Sequence, residues 1–218
     1  MSAPTVLAVV PVLKDDPSLI SDCLSNQTLP PTEVVFACGL KATDAKCHSL
    51  GFHSIYEPPR DSILVAPRVI SAINACLSST DLNKFTYILR VDADWRLPTN
   101  FIEANMPEGD TVGFYGSAIF IPVRILMELF GGRLPIADSE NMIIRKLREA
   151  GYKLQHFRVP PMDTRPIDPE KTWKYFFALG KMGKRNEAHP WRYPLRCILF
   201  FIRERDIRGI FELIGYIL

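Results

Sequence analysis

The sequence predicts an α/β fold: a mostly parallel, twisted sheet flanked by helices. Three observations predict it. Short apolar runs rich in Val, Ile and Leu recur along the first 160 residues, bounded by proline, glycine or acidic residues. Stretches with apolar residues at helical spacing separate them. Strand–helix–strand order at this spacing implies parallel pairing with right-handed crossovers. The 218 residues, 47% hydrophobic and 23% charged, suffice for one large domain, or one domain plus a small appendage.

Thr5–Val10 ends at Pro11 and suits a buried parallel strand. The N-terminal stretch has no basic leader and is broken by Pro11, so it reads as a strand, not a signal peptide. Pro17–Asn26 carries Leu19, Ile20, Cys23 and Leu24 at helical spacing. Glu33–Cys38 is a second buried strand, Thr43–Leu50 a helix and His53–Tyr56 a short strand. Ser62–Ser79 reads as a helix through Val65, Val69, Ile73 and Leu77, with Pro67 early enough to be tolerated. Phe85–Val91 is the next strand and Val112–Ile121 another. Val123–Phe130 is a helix closed by Gly131-Gly132. Ser139–Ala150 is a helix stopped at Gly151, and Lys153–Val159 is a further strand. There are no internal repeats.

Composition removes several functions. A net charge of +2 is too small for a generic nucleic-acid binder. The five cysteines are scattered and odd in number, which argues for buried free thiols and against a zinc site or disulfide scaffold. No G-x-G-x-x-G follows the first strand, and no G-x-x-x-x-G-K-[ST] occurs, so a dinucleotide fold or P-loop NTPase would lack its phosphate cradle. No stretch of 18 uncharged apolar residues exists, so no complete transmembrane helix is expected.

In parallel sheets, ligands bind beyond the carboxyl ends of the strands. Asp92-Ala93-Asp94 stands there, directly after the strand FTYILRV. Two carboxylates at i and i+2 suit a hard divalent ion shared with substrate phosphates, although a solvated turn with Asp as a cap uses the same residues. The surrounding order adds to this. The first strand runs into Pro11-Val12-Leu13-Lys14-Asp15, and the helix before the acidic pair carries Ala66-Pro67-Arg68 and Asn74. Downstream come Asp138-Ser139-Glu140 and Arg145-Lys146-Leu147-Arg148-Glu149-Ala150-Gly151-Tyr152.

Over roughly residues 5–160 this order resembles the family 2 glycosyltransferases with the GT-A fold. The resemblance implies an inverting, metal-dependent enzyme that moves a hexose (mannose or glucose) from a GDP- or UDP-sugar. Asp94, with Asp92 as ligand or nucleoside contact, would hold Mn²⁺ or Mg²⁺. Pro11, Val12, Asp15 and Arg68 would border the donor nucleotide. The family's base falls on Ser139 here, so Asp138 or Glu140 would take the acceptor proton, unless the acceptor is a phosphate that needs no base. Asp138 also fits a helix cap. The acidic pair that relatives carry near the end of strand two is Ala37-Cys38 here, leaving base recognition to the backbone, Asp15 or Asp44. Arg90 replaces the usual apolar residue before D-A-D and could balance carboxylate charge or pair within the sheet. The altered base motif and Cys38 favour an alternative, a non-catalytic nucleotide-sugar-binding or scaffold protein on the same fold.

Composition changes after about residue 170. Over residues 171–208, ten Lys or Arg face three acids, a net of +7, interleaved with aromatics. Trp191–Leu218 holds apolar blocks too short to span a bilayer. The expected organisation is a catalytic domain over 1–165 and amphipathic interfacial helices over 166–218. A tail folded back onto the core is the competing reading. Membrane-bound relatives of the cellulose-synthase-like and polyprenyl-phosphate hexosyltransferase groups place such helices there, often with Q-x-x-R-W; this chain has KRNEAHPWR without the Gln. The resemblance implies a lipid-linked acceptor, an anionic membrane surface as partner, a place at the cytoplasmic face of a membrane and no nucleic acid.

Overall fold

The computed structural model describes residues 3–62, 64–116, 118–136, 141–163, 173–186, 191–204 and 207–218. Strands β1 (Val6–Val12), β2 (Glu33–Cys38), β3 (His53–Tyr56) and β4 (Tyr87–Arg90) alternate with helices α1 (Pro17–Ser25), α2 (Lys41–Ser49) and α3 (Val65–Ser79). Beyond them come β5 (Trp95–Arg96), α4 (Phe101–Asn105), β6 (Thr111–Tyr115), β7 (Ala118–Pro122), α5 (Val123–Phe130), α6 (Asn141–Glu149), β8 (Lys153–His156) and β9 (Met162–Asp163). The chain closes with α7 (Trp173–Asn186), α8 (Arg192–Glu204) and α9 (Arg208–Ile217).

Seven strands form one sheet in the order β3-β2-β1-β4-β7-β6-β8, and β5 pairs with β9 in a two-stranded ribbon. Within the large sheet only β7 runs against the rest: it is antiparallel to both β4 and β6, while the other pairings are parallel. The architecture is the mixed, mostly parallel α/β sheet that the strand–helix alternation predicts.

Every residue of β1 is buried, as a strand covered on both faces requires. Its side chains divide with period two. Leu7 and Val9 pack with Ile70, Ile73 and Leu77 of α3 and with Ile143 and Leu147 of α6. Ala8, Val10 and Val12 pack on the other face with Ile20 and Leu24 of α1 and with Phe101 and Ile102 of α4.

Three local outcomes differ from the sequence reading. Val112–Ile121 is not one strand but the β6–β7 hairpin. Gly116 supplies the positive φ of 53° at its turn, with the Trp95 ring 3.6 Å from where a Cβ would stand. The strand after Gly151 stops at His156 rather than Val159. Asn105 takes both backbone groups of Val159, donating to its carbonyl at 2.7 Å and accepting from its N–H at 3.0 Å, so these groups do not extend the ladder. The short elements β5, α4 and β9 are too brief to announce themselves by periodicity. Gly131 closes α5 in the left-handed region as expected.

The three C-terminal helices pack on one another at glycines. A Cβ on Gly180 of α7 would collide with the backbone of α9 at Glu212, and one on Gly215 would collide with the carbonyl of Phe177. Gly183 lies against the Tyr193 ring of α8, and Gly209 against the Cys197 carbonyl. Among the described residues, no helix is long and apolar enough to cross a membrane.

Candidate functional site

β1 to β4 run parallel, so their carboxyl ends at Val12, Cys38, Tyr56 and Arg90 lie along one edge. The reversed β7 brings the β6–β7 turn to the same edge, because Ile119 pairs with Arg90. The acidic pair therefore leaves the sheet at the end of β4, between the parallel half of the sheet and the hairpin.

Arg90 is 4% exposed and lies beside a cavity of about 10 Å³ lined by Ile73, Ile88, Ile119 and Leu126. A guanidinium in such surroundings demands a carboxylate. Asp92 provides it: Arg90 Nη2 stands 2.8 Å from Asp92 Oδ1, with side-chain exposures of 5% and 14%. This is the charge balance within the acidic pair that the sequence offers as one reading of Arg90. The Asp92 main chain accepts from the Trp95 N–H at 3.3 Å to close the turn. Asp94 projects from that turn half-buried, with its Oδ1 shielded from solvent. Trp95 packs behind it, buried, edge-on to the exposed Tyr115 ring at 6.5 Å between centroids. Its indole Nε1 has no acceptor among the described residues.

The donor-side residues divide by exposure. Pro11 and Val12 are buried and the Val12 carbonyl takes the Gly39 N–H at 3.0 Å. A central strand covered on both faces offers a ligand its backbone at the carboxyl end and the loop after it. Asp15 in that loop is exposed. Its neighbour Asp16 caps α1 by accepting the Ser18 N–H at 3.0 Å and pairs with Lys46 at 3.0 Å. The Ser18 backbone bond, with Lys46 beside it, lowers the Asp16 carboxyl to about 2. Asp44 accepts from the Ser54 hydroxyl at 2.6 Å and serves to hold α2 on β3. Cys38 is buried with its sulfur 3.7 Å from that of Cys47, and burial pushes both thiols up. All five cysteines are free, as expected.

Arg68 lies near the N-terminus of α3, which no side chain caps. Its Nε is buried with no acceptor among the described residues, at the same edge of the sheet as Asp94. Asp138, Ser139 and Glu140 lie outside the described residues, as does His189. The helix just beyond the acidic cluster is firmly seated: Ile143, Ile144 and Leu147 anchor α6 in the core, and Arg145 pairs with Glu149 at 3.4 Å. No group of three or more His, Cys, Asp or Glu able to hold a metal occurs among the described residues. Carboxylate oxygens such as those of Asp92 and Asp94 are the donor type that hard divalent ions take, and such ions usually draw further oxygen ligands from phosphates and water.

No protein-family model and no curated protein matches the sequence. Solved structures match its shape. Glucosyl-3-phosphoglycerate synthase from Mycobacterium tuberculosis, in complex with Mn²⁺, UDP and glucosyl-3-phosphoglycerate, aligns over 84% of this chain and 80% of its own, with TM-score 0.55 and 11% identity. The fold is GT-A. S. aureus TarS aligns over 97% of this chain but 55% of its own, with TM-score 0.50 and 10% identity. A nucleotidyl transferase from Methanothermobacter aligns over 72% of this chain and 88% of its own, with TM-score 0.53 and 10% identity. The GT-A shape therefore accompanies both sugar and nucleotidyl transfer, and side chains must separate them.

Sequence reasoning missed Trp95 and Tyr115 as walls of this edge. The signal available was the Tyr115-Gly116-Ser117 interruption of an apolar run, a hairpin mark that returns the chain to the acidic pair.

Proposed function

We propose that this protein transfers a hexose, mannose or glucose, from a GDP- or UDP-sugar to a lipid-linked acceptor at the cytoplasmic face of a membrane. The observation that carries the proposal is the half-buried Asp94 at the carboxyl end of β4 in a GT-A sheet, beside a partner carboxylate already neutralised by Arg90. Nucleotidyl transfer is disfavoured because the chain has no Gly- and Arg-rich loop to hold a triphosphate.

Asp94 would hold Mn²⁺ or Mg²⁺. Such an ion, when bound, neutralises charge developing on the leaving diphosphate. Arg68, with the uncapped N-terminus of α3 beside it, offers positive charge and N–H donors to the same phosphates. Arg90 fixes the turn that aims Asp94 and keeps Asp92 from adding a second negative charge there. Exposed Asp15 borders the nucleoside. The acceptor hydroxyl loses its proton to Asp138 or Glu140, or carries none to lose if it is a phosphate. Attack from the face opposite the diphosphate inverts the anomeric carbon.

Neutralisation of Asp92 also favours a second reading, a binding module that holds nucleotide sugar without turnover. Donor hydrolysis assayed with Mn²⁺ separates the two. The transferase reading expects slow release of hexose without acceptor, abolished in Asp94→Ala; nucleotide binding without any release establishes the binder.

A further inference from the structure

Helix α8 is apolar on two opposite faces. Tyr193 and Cys197 turn inward and are 3% and 2% exposed. The Tyr193 hydroxyl lies 2.5 Å from Glu212 Oε1 of α9 and 3.0 Å from the Leu179 carbonyl of α7, which fixes the inward face. At 3.6 residues per turn, Trp191, Leu195, Ile198, Leu199 and Ile202 fall about 180° away from it. All five are exposed, Trp191 at 83% and Ile202 at 64%. This is a continuous stripe along the helix rather than scattered apolar side chains. Arg192 and Arg196 flank the stripe on one side. Arg196 is itself held in place, stacked 4.4 Å over the Tyr193 ring and 3.4 Å from Glu212.

Building on the lipid-acceptor reading, we infer that the outward face of α8 is the surface by which this protein lies on anionic phospholipid. At 13 residues the helix is too short to span a bilayer and long enough to lie in the headgroup plane. Its apolar stripe enters the acyl boundary, Trp191 sits at the interface, and Arg192 extends to lipid phosphates. The charge decides between lipid and a second copy of the chain. The basic excess over residues 171–208 complements an anionic surface, whereas face-to-face pairing of two copies would bring like charges together. The close helix crossings at Gly180 and Gly215 hold α7 and α9 together beneath α8, so the outward face is presented on a packed support.

The test is co-sedimentation of the full chain with phosphatidylcholine vesicles, with and without phosphatidylglycerol, in the absence of donor and metal. Wild type should pellet with the anionic vesicles, less so as salt is raised. Ile198→Glu with Ile202→Glu, both on the outward face, should leave the circular dichroism unchanged and lower partitioning roughly a hundredfold. Arg192→Gln should lower it about fivefold on anionic vesicles only. Bromine-labelled lipid should quench emission from wild type more than from Trp191→Phe. Binding by the double variant equal to wild type would overturn the assignment. So would wild type that stays in the supernatant, or a wild-type dimer that the double variant converts to monomer without any vesicle binding. Because no sugar is present, lipid binding without transfer activity would sustain this surface while removing the transferase reading.

Discussion

Arg90 holds a full positive charge in an apolar setting two residues before Asp92, and the 2.8 Å pair between them makes both tolerable. Removing one partner leaves the other uncompensated. Arg90→Met is therefore expected to cost about 2–3 kcal/mol in urea unfolding, discounted because Asp92 keeps some solvent. Adding Asp92→Asn should restore most of that loss, since the double change leaves no unpaired charge. Equal destabilisation in the single and double variants would show that the arginine acts through packing alone. Asp16 makes a second residue-level case. Its folded carboxyl sits near 2 against 3.8 for the free group, so its contribution is complete above about pH 4 and is lost as pH falls towards 2. The Lys46 partner is half exposed and adds little, so the cap dominates. Asp16→Ala should cost about 1 kcal/mol at neutral pH. Its unfolding curve should converge with that of wild type through that acid window; a gap that persists at low pH would contradict the linkage.

At the scale of elements, the C-terminal helices depend on the side chains that glycine lacks. Gly180 and Gly215 let the α7 and α9 backbones meet, and the atoms a Cβ would strike are main-chain atoms that cannot rotate away. Gly215→Ala is expected to cost on the order of 1–3 kcal/mol, confined to this helical unit. Hydrogen exchange should report the effect as lost protection in α7 and α9 with β1 and β4 unchanged. Protection retained in α9 would mean that the crossing relaxes at no cost. The β6–β7 hairpin depends on glycine for another reason. Gly116 needs its positive φ, and the Trp95 ring behind it ties the hairpin to the residue after Asp94.

At the scale of the molecule, the parallel half of the sheet supplies the edge from which Asp94 leaves, and its one reversed strand brings the β6–β7 turn to that edge. Nucleotide held along that edge by Asp15, Arg68 and Asp94 would bind the folded chain and not the unfolded one. At about a hundred times Kd this is worth about 2.7 kcal/mol, or roughly 5–10 °C in Tm for a chain of this size. UDP or GDP with Mn²⁺ should therefore raise Tm by that amount. Asp94→Ala should keep the unliganded Tm within a few degrees of wild type and lose the increment that depends on Mn²⁺. An undiminished Mn²⁺ increment in that variant would place the metal elsewhere.

The sequence by itself determined the α/β class, the four parallel strands β1 to β4 and the helices between them, the acidic pair at a strand's carboxyl end and the basic, apolar tail. These are local properties: burial on both faces writes an unbroken apolar run, a helix writes its 3.6-residue period, and glycine closes α5. Tertiary structure alone decided how the two carboxylates differ. Asp92 and Asp94 look equivalent in the chain; the fold buries Arg90 and sets it 2.8 Å from Asp92. It also decided that Pro11 and Val12 face the core, that β7 runs against its neighbours and that α7 and α9 cross at glycines. The reason is physical. Periodicity reports how each residue meets its own element, whereas a buried charge, a strand neighbour or a close crossing is fixed by which distant segment fills the adjoining space.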